Sequence, residues 1–316
     1  MTIAQLVAWS SIVLLALALA VAVFYYGLVR RALPRTTLDP PLLAVTAALL
    51  VCNLFSVDRR YSSWRVLVWV GYLAVFYLAL AVPRRWVGRA AAAIGWTVAL
   101  VCVAEFVLTR QRARLLGNPN ITAAWLLSLA YLMPSFSFWP WWWVDGAALF
   151  ATGSRGAFLG LMGATVVEHT YLRAAAPLLL ILALCFVAVR PSTVRNRWRT
   201  WQEAGRLFLE RPLVGWGPGC YPVANGYEPE KEHADNFILT VAAEMGLVGL
   251  AAWGWLLVAV GRLAARSEAQ ARFGLAAWGI HQLVDFTLWW PWVGLCVMVC
   301  LAISMKCSEG RYEKST

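Results

Sequence analysis

One arginine in an apolar stretch is the first residue whose type and position indicate chemistry. Arg155 interrupts an apolar run in the segment TGSRGA at 152–157, and the glycines flanking it let a ligand or another chain approach closely. An arginine is costly to keep in such surroundings and binds anions bidentately. Arg155 and its neighbour Ser154 are therefore predicted to belong to a site for an anionic group.

A glycine-rich segment, RPLVGWGPGCY at 211–221, is a second candidate. Its three glycines stand at alternate positions, which favours an irregular turn whose exposed N–H groups can bind an anion. The segment is neither a dinucleotide-binding fingerprint nor a P-loop, because no strand precedes it and no Gly-Lys-Ser/Thr follows. Nucleotide binding is not supported. The residues added to the predicted site are Arg211, Gly215, Gly217, Gly219 and Tyr221.

Polar residues cluster in HADN at 233–236, before the apolar run that follows Glu244. A histidine beside a carboxylate at a water interface is a reasonable general base for a hydroxyl. His233, Asp235, Asn236 and Glu244 are therefore predicted site residues.

His281 and Asp285 form a further ionisable pair in HQLVDF at 281–286. They are four residues apart, which predicts one helical face, and such a pair inside a membrane is either a structural contact or part of a polar site. A metal centre is not expected, because no CxxC or HExxH spacing occurs and His169 is predicted near the opposite membrane face from His233.

The elements that position these residues are predicted to be transmembrane helices. The chain is 61% hydrophobic and 14% charged, and its apolar blocks have the length that spans a bilayer core. Continuous blocks without period-two alternation select helices rather than a barrel. We expect an all-α polytopic integral membrane protein of about eleven (10–12) spans, near 3–29, 41–56, 64–82, 87–108, 121–133, 138–151, 156–168, 174–190, 246–261, 273–288 and 291–305.

The long polar segment 191–244 is the one place for structure outside the membrane, and residues 198–209 within it have a helical pattern. Basic residues in the short loops put the C-terminal tail in the cytoplasm and this loop on the outer face. Only three of the 27 basic residues are lysines, which suits bidentate phosphate binding, although a GC-rich genome explains the composition equally well. Arginines also remain on the predicted outer face, where they suggest a task in holding an anion: Arg59, Arg60, Arg65, Arg110, Arg112, Arg114 and Arg155.

Five motifs, in order, resemble the O-antigen ligase and polymerase family of bacterial envelope glycosyltransferases. They are GNPN at 117–120, TGSRGA, RPLVGWGPGCY, HADN with EMGLVG at 244–249, and HQLVDF. The resemblance covers about residues 115–290. It divides a single membrane domain, 1–316, into a scaffold at 1–110, a catalytic region at 111–290 that includes the periplasmic loop 191–244, and a last span with a cytoplasmic tail at 291–316.

The resemblance implies a GT-C-like fold and a metal-independent enzyme of the bacterial inner membrane, working at its periplasmic face among membrane lipids. It would move a glycan from undecaprenyl pyrophosphate to an acceptor hydroxyl, which in the ligases belongs to a lipid A core sugar, without nucleotide sugar, cofactor or nucleic acid. Arg155 and Arg211 are expected to stabilise the pyrophosphate. The expected substrate-binding residues are Asn118, Asn120, Ser154, Gly215, Gly217, Gly219, Tyr221, Asn236, Glu244, His281 and Asp285.

The sequence departs from the family at the expected base. The family has a histidine immediately before the asparagine of the long loop, whereas this chain has Asp235 there. Either His233 reaches the same place, or Asp235 is the base, or the activity has been lost; we favour His233, with Asp235 and Asn236 beside it.

Other readings differ in the acceptor or in the class of protein. An O-antigen or polysaccharide polymerase joins repeat units to one another, and a protein O-oligosaccharyltransferase modifies Ser or Thr; the motifs do not separate these from a ligase. Outside the enzymes, a transporter or flippase of lipid-linked glycans would also need outward arginines and broken spans. A purely structural membrane subunit is the remaining alternative.

Overall fold

The chain is helical throughout the part that the structure describes. The computed structural model describes residues 16–30, 32–115, 118–132, 140–168, 191–226, 233–267 and 269–312, and these contain helices and turns but no strand, which confirms the all-α class. The helices are α1 Ala16–Gly27, closed by the π-helical turn Tyr25–Arg30, α2 Asp39–Leu54, α3 Arg59–Ala81, α4 Arg84–Thr109, α5 Pro119–Leu132, α6 Pro140–Thr152, α7 Arg155–Glu168, α8 Pro191–Glu210, α9 Tyr221–Ala224, α10 Phe237–Arg266, α11 Ala269–Gln282 and α12 Pro291–Tyr312.

Within the described residues, three helices are long and apolar enough to cross a membrane: Arg59–Ala81, Arg85–Thr109 and Phe237–Arg266. Their outward faces carry large exposed apolar side chains, such as Leu67 and Trp255, which lipid accommodates and water does not. The protein is therefore a membrane protein. The count of about eleven spans stays a prediction, and the expected span 174–190 lies outside the described residues, as do residues 3–15 of the first span.

Several helices begin where the sequence supplies a cap or a proline. The carboxylate of Asp58 accepts hydrogen bonds from the N–H groups of Arg60 and Tyr61 at the start of α3, and α12 begins at Pro291, whose fixed φ suits a first helical position. The side-chain oxygen of Asn236 accepts from Leu239 N–H at 3.0 Å and so fixes the start of α10.

The helix observed at the ninth predicted span, 246–261, is longer than the apolar run from which the span was predicted. α10 begins at Phe237 rather than near residue 246, and it consists of two helical segments joined at Gly246, whose φ of 60° and ψ of −153° break the helix. The predicted start therefore coincides with this kink. The additional turns before it carry the buried Glu244.

α7 and α11 pack closely through glycines. A Cβ built on Gly160 would overlap the carbonyl oxygen of Ala277, and one built on Gly163 would overlap the side chain of Ile280. A Cβ on Gly156 would lie 3.2 Å from the ring of His281 and 3.0 Å from Val284. Glycines at such spacing let two helix backbones approach each other. This contact fixes Arg155, the first residue of α7, beside the end of α11.

Substituting Gly160 tests this contact. We expect Gly160→Ala to destabilise the protein by about 1–3 kcal/mol, the usual cost of forcing an extra group into a packed interface. The measurement is the apparent melting temperature of purified protein in detergent.

The matched control is Gly279→Ala in α11, where an added Cβ meets nothing within 4 Å. Alanine is the better helix former by roughly 0.5–1 kcal/mol, so this variant should melt at the same temperature or higher. Equal melting temperatures for the two variants would contradict the close contact.

Candidate active site

A cavity of about 220 Å³ gathers three arginines from separate parts of the chain. Arg112 comes from the segment after α4, Arg155 begins α7, and Arg197 lies in the middle of α8, while Asn120 of α5 and Gly153 complete the polar part of the lining. Like charges brought together repel, so an anion bound among them is favoured. Guanidinium groups suit phosphate oxygens in particular, because they donate in parallel pairs. The lining of the cavity therefore favours an anionic ligand.

The turn between α6 and α7 aims Arg155 at this cavity. Gly153 has a φ of +59°, which favours glycine, and a Cβ there would lie 3.3 Å from the Nε atom of Arg112. Ser154 is buried, and its hydroxyl accepts a hydrogen bond from Ala157 N–H at 3.4 Å. Ser154 thus contacts its own helix and is not among the cavity-lining residues.

The remaining lining of the cavity is apolar. Leu159 of α7 and Val284 lie on one side, and α8 contributes the other wall, with Val194, Trp198 and Trp201. Apolar walls exclude water and strengthen the interaction of an anion with the arginines.

A second group of polar residues comprises His233, Asp235 and Asp285. The Nδ1 atom of His233 lies 3.6 Å from Oδ1 of Asp235, and the ring of His233 meets Phe286 edge-on at 5.5 Å. Asp235 adopts a positive φ of 51°, a conformation that aspartate tolerates better than most residues. The amide of Asn236 donates to the carbonyl oxygen of Leu283 at 2.6 Å. This bond ties the 233–236 segment to the 283–286 turn.

The same three residues could hold a divalent cation. One ligand atom from each of His233, Asp235 and Asp285 lies within 4.8 Å of the others. An imidazole and two carboxylates are suitable ligands for several divalent metals. The sequence did not predict this grouping, because Asp285 is remote in the chain from the other two.

The buried pair His281 and Asp285 differs from the prediction in one respect. α11 ends at Gln282, so Asp285 lies in the following turn and does not share a helical face with His281. Oδ1 of Asp285 accepts from Phe286 N–H at 2.7 Å. Within the described residues, His281 Nε2 and Asp285 Oδ2 are buried without a hydrogen-bond partner.

The cavity and the His233 group lie on two sides of the same short segment. Val284 lines the cavity, its neighbour Leu283 binds Asn236, and Asp285 belongs to the His233 group. The contact of Gly156 with His281 and Val284 holds α7 against this segment. The structure therefore brings Arg155, His233, Asp235, Asn236, His281 and Asp285 into one region.

The glycine-rich turn has the irregular backbone that its spacing predicted. Gly215, Gly217 and Gly219 have φ values of +66°, +114° and +77°. Added side chains there would also overlap neighbouring atoms, so both backbone conformation and space require glycine.

The acidic group that this turn binds is a side chain of the protein itself. The buried carboxylate of Glu244 accepts hydrogen bonds from the backbone N–H groups of Gly219 and Tyr221 and from the indole N–H of Trp289. Arg65 lies beside Gly219 and over the Trp289 ring, where its charge attracts the carboxylate. These hydrogen bonds to the buried Glu244 side chain hold the turn in its conformation.

Several predicted site residues lie away from the cavity. Arg211 is exposed and its guanidinium carbon stacks 4.5 Å from the centre of the Trp216 ring. The hydroxyl of Tyr221 donates to Thr200 O at 3.1 Å, in the interior. Asn118 is exposed and accepts from Asn120 N–H at the start of α5. Of these residues, only Asn120 reaches the cavity.

Two cavity arginines were not predicted as site residues. Arg112 was one of the arginines expected on the outer face, but no feature of the sequence distinguished it from the other arginines there. Arg197 shares its side of α8 with Trp201, Ala204 and the other residues that face the protein, whereas Arg195 and Arg199 point away. Helical periodicity along 191–210 was the signal that could have distinguished it.

The fold is that of a helical membrane protein, and the cavity is a candidate site for an anionic ligand. Residues 141–254 match the model of the O-antigen ligase family, and this stretch contains Arg155, Arg197, the glycine-rich turn and His233. The match confirms the resemblance seen in the motifs, and it supports a membrane glycosyltransferase of the ligase or polymerase type. A comparison with curated proteins finds no match.

Removing the Glu244 carboxylate tests its role in the turn. Glu244→Ala would leave buried N–H groups without an acceptor, at about 1–3 kcal/mol each. We expect a lower apparent melting temperature and faster proteolysis within residues 211–226.

The control is Glu210→Ala, which removes an exposed carboxylate paired with Arg206 at 2.7 Å. Exposed pairs contribute at most about 1 kcal/mol, so this variant should resemble the wild type. A Glu244→Ala protein with unchanged stability and unchanged proteolysis would refute the assignment.

Proposed function

We propose that the protein transfers a glycan from a polyprenyl pyrophosphate carrier, undecaprenyl pyrophosphate in bacteria, to an acceptor hydroxyl. The observation that carries this proposal is the meeting of Arg112, Arg155 and Arg197 at one cavity, next to a segment whose other side holds His233. A pyrophosphate leaving group requires such cations, and an attacking hydroxyl requires such a base. The family match is consistent with both.

In the proposed reaction the acceptor oxygen attacks the anomeric carbon of the donor sugar. The bond between that carbon and the pyrophosphate oxygen breaks, and the bonding electrons leave with the pyrophosphate. Arg155, Arg112 and Arg197 stabilise the negative charge that develops on it, in a partly apolar cavity where such charge stabilisation is strong. The hydroxyl proton passes to His233. No nucleotide and no metal takes part.

Asp235 and Asp285 are proposed to act through His233. A carboxylate near an imidazole orients the ring and stabilises the imidazolium that forms when it takes a proton. Asp235 lies close enough for this interaction. Asn236, through its bond to Leu283, keeps the histidine segment against the wall of the cavity. Asp235 is the alternative base.

The proposed acceptor is a lipid A core sugar, and the reaction takes place at the periplasmic face of the inner membrane. Polymerisation of repeat units and glycosylation of a protein Ser or Thr are the alternatives. They use the same donor chemistry and differ in the hydroxyl supplied. A transporter of lipid-linked glycans would bind the donor and release it uncleaved, so formation of free polyprenyl pyrophosphate separates the two classes.

Transfer by purified protein tests the cation site. Protein in detergent or nanodiscs receives a polyprenyl pyrophosphate glycan and each acceptor in turn, without nucleotide and with a chelator present. We expect transfer to proceed, and Arg155→Ala to slow it about 10²–10³-fold, as loss of one donor to a developing anion does. Quantifying glycosylated acceptor and released polyprenyl pyrophosphate gives the rate.

Arg199→Ala is the control, because Arg199 lies on α8 near Arg197 but is exposed and does not line the cavity; its rate should match the wild type. Full activity of Arg155→Ala would show that the cavity does not stabilise the leaving group. Loss of transfer in the presence of the chelator would contradict the proposed metal independence.

A second pair of variants identifies the base. We expect His233→Gln to reduce the transfer rate by about 10²–10⁴-fold, the typical contribution of a general base. Asp235→Asn should cost less, because it removes only the partner of the base. Binding of the donor, measured by titration with the glycolipid, should be little changed in both. A larger loss of rate in Asp235→Asn than in His233→Gln would transfer the role of base to Asp235.

A further inference from the structure

α8 carries an outward surface that the protein core leaves uncovered. Its buried side faces the protein through Thr200, Ala204 and Leu207. Next to this side, Trp198, which also borders the cavity, is 58% exposed, and Leu209 is 76% exposed. Large exposed apolar side chains grouped on one side of an otherwise polar helix mark a candidate interaction surface.

The residues around α8 change character in a regular order. Successive residues are about 100° apart around the helix, which places Val194, Trp198 and Leu209 along one stripe. Next to this apolar stripe, on the side away from the protein, lies a stripe of arginines. Beyond the arginines lies a stripe of acidic and amide residues. The members of these two stripes are Arg195, Arg199 and Arg206, followed by Asn196, Glu203 and Glu210.

This order matches the layers of a bilayer surface. Apolar side chains belong in the acyl boundary, arginines at the level of the phosphates, and acidic or amide groups in water. A protein partner would not explain why the cationic stripe lies between the apolar and the acidic one. The partner that fits is therefore the lipid surface itself.

Both ends of α8 lie close to another helix. Near its N-terminal end, Val194 and Trp198 line the cavity together with Arg155, the first residue of α7. Beyond its C-terminal end, the carbonyl oxygens of Pro212 and Leu213 accept hydrogen bonds from Leu247 and Val248 N–H, at 2.8 and 3.1 Å. Residues 247 and 248 follow the kink at which the apolar part of α10 begins. α8 is thus held at two points, and one of them is the start of the apolar part of a candidate membrane span.

Two of the arginines have no partner within the described residues. Arg206 pairs with Glu210 and Glu203, whereas neither Arg195 nor Arg199 forms an ion pair in the part of the chain that the structure describes. These exposed guanidinium groups have their donors available for phosphate oxygens.

We propose that α8 lies in the plane of the membrane surface and binds anionic phospholipid headgroups through Arg195 and Arg199. Trp198 and Leu209 enter the acyl boundary beside them. The inference goes beyond glycan transfer and does not depend on it. It assigns the arginines of one helix to two partners. Arg197 faces the cavity, and Arg195 and Arg199 face lipid.

Photo-crosslinking in nanodiscs tests the proposal without any enzyme assay. The nanodiscs contain equal amounts of phosphatidylglycerol and phosphatidylcholine, and the full-length protein carries benzoylphenylalanine at Trp198 or Leu209. After irradiation, mass spectrometry of the α8 peptides should find phospholipid adducts at both positions. The same probe at Asn196 or Glu210, on the side predicted to face water, should give none.

The headgroup composition of the adducts tests the role of the arginines. Each arginine near an anionic surface contributes a factor of about five in binding, so phosphatidylglycerol should be enriched several-fold in the adducts. Arg195→Gln with Arg199→Gln should abolish the enrichment. The control pair Arg262→Gln with Arg266→Gln, exposed near the far end of α10, should preserve it.

Two results would overturn the proposal. If positions 198 and 209 gave no phospholipid adduct, or no more than positions 196 and 210, α8 would not lie at the lipid surface. If the adducts showed no enrichment, or kept it in the Arg195/Arg199 double variant, the arginines would not bind anionic headgroups. Monodisperse gel filtration and an unchanged melting temperature verify that each variant is folded.

Discussion

The close contact between α7 and α11 is the constraint on which the proposed site depends. Glycines at positions 156, 160 and 163 allow these helices to approach until Ala277 and Ile280 occupy the space of side chains. Since Arg155 begins α7 and the 283–286 turn follows α11, this contact determines how far the arginine cavity lies from His233. Lipid offers little hydrophobic force to push helices together, so close packing of small residues must supply the attraction. The geometry of the proposed site is therefore set by the packing of two helices rather than by the loop 191–244 that completes it.

The second determining interaction is internal to the polar segment. The Glu244 side chain accepts hydrogen bonds from the N–H groups of Gly219 and Tyr221. Pro212 and Leu213, at the start of the same segment, connect the end of α8 to α10. A turn already occupied by a carboxylate has little capacity left for a phosphate. This is why we assign the proposed anion binding to guanidinium groups, whereas the sequence analysis assigned part of it to Gly215, Gly217 and Gly219.

The sequence predicted the fold better than the site. Apolar blocks of membrane length located most helices, because lipid imposes that pattern on every span. Arg155 and His233 were identifiable because each is rare in its surroundings. Arg112 and Arg197 were not, since both belong to arginine-rich segments and only the three-dimensional arrangement shows which arginine points inward. The grouping of Asp285 with Asp235 likewise depends on α11 ending at Gln282, a boundary within the predicted span 273–288 that the sequence pattern does not reveal.

The distribution of charge explains how an arginine-rich surface can still be selective. The described lining of the cavity contains three arginines and no carboxylate, while Asp235 and Asp285 lie with His233 beyond Val284. Carboxylates placed among the arginines would compete with an anionic ligand, and arginines placed around His233 would oppose its protonation. An apolar residue between the groups lets each keep its function. The same separation recurs on α8, where Arg197 is turned inward and Arg195 and Arg199 are exposed. One helix thus supplies an arginine to the proposed anion site and two arginines to the proposed lipid-facing surface.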